Sequence, residues 1–140
     1  MNASLIQGKI HTDTRGILRF FNDFDMSLVK RFYVTEQLDT SIVRGWQGHK
    51  KEQKWFYVVN GTFKLILVKP DDWENPSENL PFEEFILEAS ANRVINIPPG
   101  IATGFQALEQ PSKMIIFSDL TLEESVNDDF RFEKNLWYKW

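Results

Sequence analysis

The sequence predicts an all-β protein, and three observations carry that reading. Short β-rich runs recur at spacings typical of a sandwich or barrel: Ile17 to Phe21, Val29 to Val34, Phe82 to Leu87, Arg93 to Ile97 and Met114 to Asp119. An Asn60-Gly61 pair stands between two further β-rich arms, Lys54 to Val59 and Thr62 to Val68. Asn-Gly supplies the positive φ angles of a type I′ turn, so these arms are expected to form a hairpin. Helix signals are scarce. The best is Thr121 with Glu124 three residues on, a capping-box pattern that opens one short helical turn near the C-terminus.

Between the strands, Lys69 to Pro81 holds three of the six prolines together with several acidic residues. Such a stretch cannot sustain a ladder of hydrogen bonds and reads as a long loop. No repeat, low-complexity segment or Gly/Ser-rich linker interrupts the chain. A length of 140 residues suits one core, so a single domain over residues 1–140 is expected. The terminal aromatics Phe130, Phe132, Trp137, Tyr138 and Trp140 are costly to expose and should pack on the barrel or on a second subunit.

Composition removes several function classes. Cysteine is absent, which excludes disulfides, Cys-ligated zinc or iron–sulfur sites and a thiol nucleophile. A formal charge of −4 with interleaved signs gives nucleic acid no long-range attraction. The first residues lack the basic start and long apolar stretch of a signal peptide, and no run approaches a membrane span, so a cytoplasmic protein with no membrane partner is expected. One local feature stands out: Arg44, Lys50, Lys51 and Lys54 fall within eleven positions and suit a small anionic ligand.

Two segments carry the chemistry. The first is Arg44-Gly45-Trp46-Gln47-Gly48-His49-Lys50-Lys51-Glu52-Gln53-Lys54, running on to Gly61; the second is Asn96-Ile97-Pro98-Pro99-Gly100-Ile101-Ala102-Thr103-Gly104-Phe105. They resemble the paired motifs of the cupins, a double-stranded β-helix or jelly-roll barrel with little helix. The resemblance sets Gln47, His49, Lys54 and Thr103 where a metal-binding cupin has His, His, Glu and His. A lone imidazole beside an ammonium does not hold a divalent ion against water, so no metal and no other cofactor is expected. Glu52 does not replace a ligand if strand alternation holds, because it then falls on the opposite face from Gln53.

Metal-free cupins are familiar among the dTDP-4-dehydrorhamnose 3,5-epimerases and the dTDP-sugar 3,4-ketoisomerases. His11-Thr12-Asp13-Thr14-Arg15-Gly16 resembles the epimerase opening H-x-D-x-R-G, and Ile97 to Phe105 resembles I-P-P-G-F-A-H-G-F. Val29-Lys30-Arg31-Phe32-Tyr33, followed by Arg44 to Lys51, is similar to the ketoisomerase pattern I-K-R-x-Y, then R-G-x-H-A-H-K-K. The resemblance implies an isomerase acting on a dTDP-linked 4-keto-6-deoxy sugar by proton abstraction next to the ketone. It also implies a homodimer. The epimerase base corresponds to Gln47, which takes no proton at neutral pH, and the strand at Met114 to Asp119 offers no catalytic phenol; the retained His49 favours the ketoisomerase type.

Roles follow from side-chain chemistry within that resemblance. Removing a proton next to a ketone needs a base and a group that stabilises the enolate, and His49 is the expected base. Lys54 is expected to stabilise the enolate oxygen and Tyr33 to donate a proton to it. Seven positions separate Lys54 from Gln47, and simple alternation opposes them unless a turn or bulge intervenes. Arg44 and Arg15 suit the diphosphate of a nucleotide sugar, because a guanidinium fork matches phosphate oxygens. Gln47 and Thr103 suit hydrogen bonds to sugar hydroxyls. The competing reading is a non-catalytic cupin that binds a sugar or nucleotide sugar, since the family histidines are lost at Gln47 and Thr103.

Overall fold

A strand buried on one face alternates apolar and polar residues, whereas a strand buried on both reads as a continuous apolar run. Both kinds occur here. The computed structural model describes residues 1–140, with strands β1 (Ser4–Gln7), β2 (Lys9–Asp13), β3 (Gly16–Phe20), β4 (Arg31–Gln37), β5 (Val43–His49), β6 (Lys54–Asn60), β7 (Thr62–Val68), β8 (Phe82–Glu88), β9 (Arg93–Ile97), β10 (Ile101–Ala107), β11 (Ser112–Ser118) and β12 (Phe130–Arg131). One short helix, α1 (Leu122–Ser125), begins at the Thr121 cap; the Thr121 hydroxyl accepts from Glu124 N–H and the Glu124 carboxylate accepts from Thr121 N–H, as expected from the sequence.

Two five-stranded antiparallel sheets face each other, one ordered β1-β9-β6-β11-β4 and the other β12-β5-β10-β7-β8, with β2 and β3 forming a separate hairpin. The space between them is filled by the inward residues of both layers, including Phe56, Ile95, Met114 and Ile116 from the first and Phe63, Leu65, Leu67 and Phe105 from the second. This is the all-β arrangement expected. No helix is long and apolar enough to cross a membrane.

In the second sheet β7 ends in a continuous, fully buried apolar run, Leu65 to Val68, and the outer face of that sheet explains it. Trp46, Ile66, Val68 and Ala102 form a second core there, closed by Trp137 and flanked by Phe132, Tyr138 and Trp140. The aromatic tail therefore packs on the chain's own sheet. Gly104 leaves room for it: a Cβ at that position would lie 2.9 Å from the Trp140 ring and 3.0 Å from Trp46. The loop between β7 and β8 adds Trp73, stacked near Phe130 and Phe132.

One expectation is corrected. The arms flanking Asn60-Gly61 do not pair with each other: β6 lies between β9 and β11, and β7 lies between β8 and β10. Of the two turn residues only Gly61 has a positive φ, 79°, so the I′ geometry is not formed. The chain instead crosses here from one sheet to the other. Each arm has an apolar inner face, and placing those faces opposite one another buries more surface than a flat hairpin would. The crossing is tight, since a Cβ on Gly61 would sit 2.9 Å from the Pro111 carbonyl and closer still to Ser112. Gly61→Ala is expected to lower stability by about 2 kcal/mol or more, through both the left-handed φ and the overlap, read as a fall in the urea midpoint at unchanged m-value.

Candidate active site

The inner faces of the two sheets diverge at one end and leave a cavity of about 540 Å³. Its wall combines Tyr33 and Thr35 from β4, Arg44 and Gln47 from β5, Lys54 from β6, Thr103 from β10 and Arg131 from β12, over an apolar floor that includes Phe56, Phe105 and Ile116. A concave, mostly apolar space with a few convergent polar groups is the usual form of a small-molecule site. Antiparallel pairing sets the polar groups in place: Gln47 lies opposite Thr103 on one side and Arg131 on the other.

Lys54 is the centre of this wall. Its side chain is buried, and Nζ donates to Tyr33 Oη at 3.0 Å and to Gln47 Oε1 at 3.2 Å. The Lys54–Gln47 problem is thereby resolved: residues 50–53 form a turn, so the two positions stand in opposite sheets and alternation along one strand does not apply. Tyr33 and Lys54 are brought together by a separate route, since β11 pairs with both β4 and β6 and aligns its Ile116 with Tyr33 and its Ser118 with Lys54.

His49 is placed differently from the expectation. It is buried and does not line the cavity. Its Nδ1 lies 2.6 Å from the carbonyl oxygen of Asp128 and 3.0 Å from Glu52 Oε2, so Nδ1 carries the hydrogen, while Nε2 has no partner. As the base that touches substrate, His49 is therefore corrected to a residue behind the wall. The reason is the turn that follows β5. The Asp128 carboxylate accepts from the backbone N–H groups of Lys50, Lys51 and Glu52 at 2.8–2.9 Å and draws this end of the strand toward the C-terminal segment.

The substrate-binding residues divide. Arg44 is exposed on β5 and lines the cavity, and Thr103 is buried on its wall. Gln47 lines it too, but both ends of its amide already bond to protein, Oε1 to Lys54 and Nε2 to Asp129 at 3.1 Å. Each end has made one of its two possible bonds, so the amide keeps one hydrogen and one lone pair on the cavity side of the wall unused by protein. Arg15 is a further correction: it sits on the exposed β2–β3 hairpin, off this wall, with Nη2 2.6 Å from Asp13. Asp13 and Arg15 are two residues apart across the hairpin turn and satisfy each other locally.

Sequence reasoning missed Arg131 and Phe132, which line the cavity from the C-terminal segment, and Glu52 behind it. The alternation Phe130-Arg131-Phe132 is the strand signal that could have marked this segment. Glu52 lies in the turn between β5 and β6, where strand alternation does not apply. No three His, Asp or Glu residues converge anywhere in a way that would hold a metal ion.

Burial alone raises the Glu52 carboxyl, but the adjoining His49, the Lys54 charge and the Ser118 hydroxyl outweigh it and hold the group at about 2. A depressed carboxyl contributes stability that is complete above its unfolded value of about 4.3 and is lost as pH falls toward the folded value. Glu52→Gln is therefore expected to lower the urea midpoint at neutral pH, with the gap to wild type narrowing steadily between about pH 4.5 and 2.

No family model and no curated protein matches the sequence. Among solved structures, the dTDP-4-dehydrorhamnose 3,5-epimerase of Sulfolobus tokodaii superposes with a TM-score of 0.79 at 25% identity, covering 100% of this chain and 81% of that one. The corresponding epimerase of Bacillus anthracis, solved with TDP and PPi bound, gives 0.78 at 19% identity over 99% and 85% of the two chains. A histidine-to-asparagine mutant of QdtA, the 3,4-ketoisomerase of Thermoanaerobacterium thermosaccharolyticum, in complex with TDP-4-keto-6-deoxyglucose gives 0.72 at 23% over 94% and 88%. The chain shares the fold of these 3,5-epimerases and sugar 3,4-ketoisomerases.

Proposed function

We propose that this protein is an isomerase of the sugar ketoisomerase or epimerase type, acting on a dTDP-linked 4-keto-6-deoxy sugar. The observation that carries the reading is the Lys54–Tyr33 pair: a buried ammonium 3.0 Å from a phenol oxygen, both on the wall of a cavity large enough for a sugar. Isomerisation next to a ketone moves a proton off carbon and leaves negative charge on oxygen. In this reading Tyr33 Oη acts as a phenolate beside the Lys54 ammonium, takes the proton from carbon and returns it to the product carbon, while Lys54 Nζ stabilises the negative charge carried by the sugar oxygen in between. Arg44, on the wall, supplies a guanidinium group for the diphosphate, whereas Arg131, also on the wall, is paired with Asp129 at 2.8 Å. His49 acts from behind.

The reading is tested by proton NMR of the full chain in D2O with dTDP-4-keto-6-deoxyglucose. Loss of the ring signal next to the ketone is expected in wild type. Lys54→Met and Tyr33→Phe are each expected to slow it by about 100-fold, the usual effect of removing one preorganised donor. His49→Asn is expected to retain measurable exchange. If His49→Asn abolishes exchange while Lys54→Met leaves it intact, the histidine is the base after all.

A binding-only cupin is the second reading, favoured by one observation: Gln47 and Thr103, at the positions matched to family histidines, both face the cavity and neither takes up a proton. Ligand signals that broaden without exchange would support it.

The protein is further proposed to form a homodimer through β4. This strand is an edge of its sheet, and its outer face exposes Phe32 and Val34 beside Phe117. An unpaired edge carrying apolar residues invites pairing with a second copy. Sedimentation is expected to give a dimer for wild type and a monomer for Phe32→Glu; a wild-type monomer at micromolar concentration would refute the assignment.

A further inference from the structure

Behind the cavity wall lies a carboxylate that does not line the cavity itself. Glu52 occupies the turn between β5 and β6, with its side chain wholly out of solvent. Its two oxygens are unequally served. Oε1 accepts from Ser118 Oγ at 2.5 Å and from Arg31 Nη2 at 3.0 Å. Oε2 is buried and has no aligned donor, although His49 Nδ1 stands 3.0 Å away and Lys54 Nζ 3.7 Å away.

The His49 hydrogen has a better acceptor in the Asp128 carbonyl at 2.6 Å. That leaves Lys54. An ammonium carries three hydrogens, of which one goes to Tyr33 Oη and one to Gln47 Oε1. Glu52 Oε2 stands within ion-pair range of the same nitrogen, at 3.7 Å. A buried ammonium without a counter-charge is costly, and so is a buried carboxylate oxygen without a donor; each removes the other's deficit.

We propose that Glu52 is a positioning residue for Lys54, holding it as an ammonium with Nζ fixed at the Tyr33 oxygen. The inference rests on the reading of Lys54 and Tyr33 as the proton-transfer pair, and it adds a residue that makes no contact with substrate. The charged and titratable groups facing the carboxylate are Arg31 from β4, His49 from β5 and Lys54 from β6. Arg31 is committed to Oε1, which leaves Oε2 to the other two.

The test uses the ligand-free full chain, so it does not depend on turnover. Lysine Nζ ammonium signals are recorded by 1H–15N NMR, with the Lys54 signal assigned by its absence in Lys54→Met. A buried, hydrogen-bonded ammonium is expected to give a visible Lys54 signal in wild type and in Glu52→Asp, and that signal is expected to be lost in Glu52→Gln at neutral pH. A Lys54 signal that persists in Glu52→Gln from about pH 6 to 9 would overturn the proposal.

Should Glu52→Gln fail to fold, Lys54→Met decides the matter in reverse. The Glu52 carboxyl, at about 2 in wild type, is expected to titrate about one unit or more higher once the ammonium is gone. No movement would overturn the proposal. In the sugar assay, Glu52→Gln is expected to lower kcat about tenfold or more with KM within about twofold, a split that general loss of structure would not produce. Absence of exchange in wild type would count against the proton-transfer reading, while the ammonium signal would still decide the role of Glu52.

Discussion

A carboxylate with no access to water must be compensated, and Glu52 draws on four strands, two giving donors to Oε1 and two placing charged or titratable groups beside Oε2. Arg31 comes from β4, His49 from β5, Lys54 from β6 and Ser118 from β11. Because β5 lies in one sheet and the other three in the opposite one, the ionic cluster joins the two layers at the end where the cavity opens. Apolar packing alone would leave that end free to close or splay. The desolvated charge fixes its geometry, since a displaced partner would leave a buried ion uncompensated.

A second carboxylate prepares the first. Asp128 gathers the N–H groups of three consecutive residues, Lys50, Lys51 and Glu52, and its own carbonyl receives the His49 ring hydrogen. The segment after α1 thus shapes the turn that presents Glu52 and Lys54. The following residues then run along β5 as β12, contribute Arg131 and Phe132 to the cavity, and end in the aromatic tail over the outer face of the same sheet. One C-terminal stretch of chain supplies wall, turn and cover, so truncating the tail would disturb the site as well as the core.

Much of this architecture was legible in local sequence. The strand Arg93–Ile97 lies where its β-branched residues predicted, the Thr121 capping box opens α1, and the proline-rich segment after β7 forms no regular structure. Tyr33, Lys54, Arg44 and Thr103, chosen by their chemistry and by resemblance, meet on one cavity wall. Where the reading failed, it failed for non-local reasons. Asn60-Gly61 has the signature of a hairpin, but turn propensity says only that the chain reverses or bends, and which strands pair depends on the apolar faces of the whole chain. Arg15 looked like a ligand residue beside Asp13, and it instead pairs with that neighbour on an exposed hairpin.

The sequence by itself determined the class of structure and the inventory of reactive groups: no thiol, few imidazoles, and a lysine and tyrosine in motifs that resemble sugar isomerases. Period-two alternation, turn residues and caps are properties of neighbouring positions, so they can be read from neighbours. Only the tertiary structure decided which groups face one another. His49 and Lys54 are five residues apart and differ in fate, because Asp128, 79 positions along the chain, holds the His49 ring, while Tyr33, 21 positions away on a strand of the same sheet, holds the Lys54 ammonium. A buried ion is satisfied by whatever donors the fold brings within 3 to 4 Å, and that distance is set by the closure of two sheets rather than by spacing along the chain.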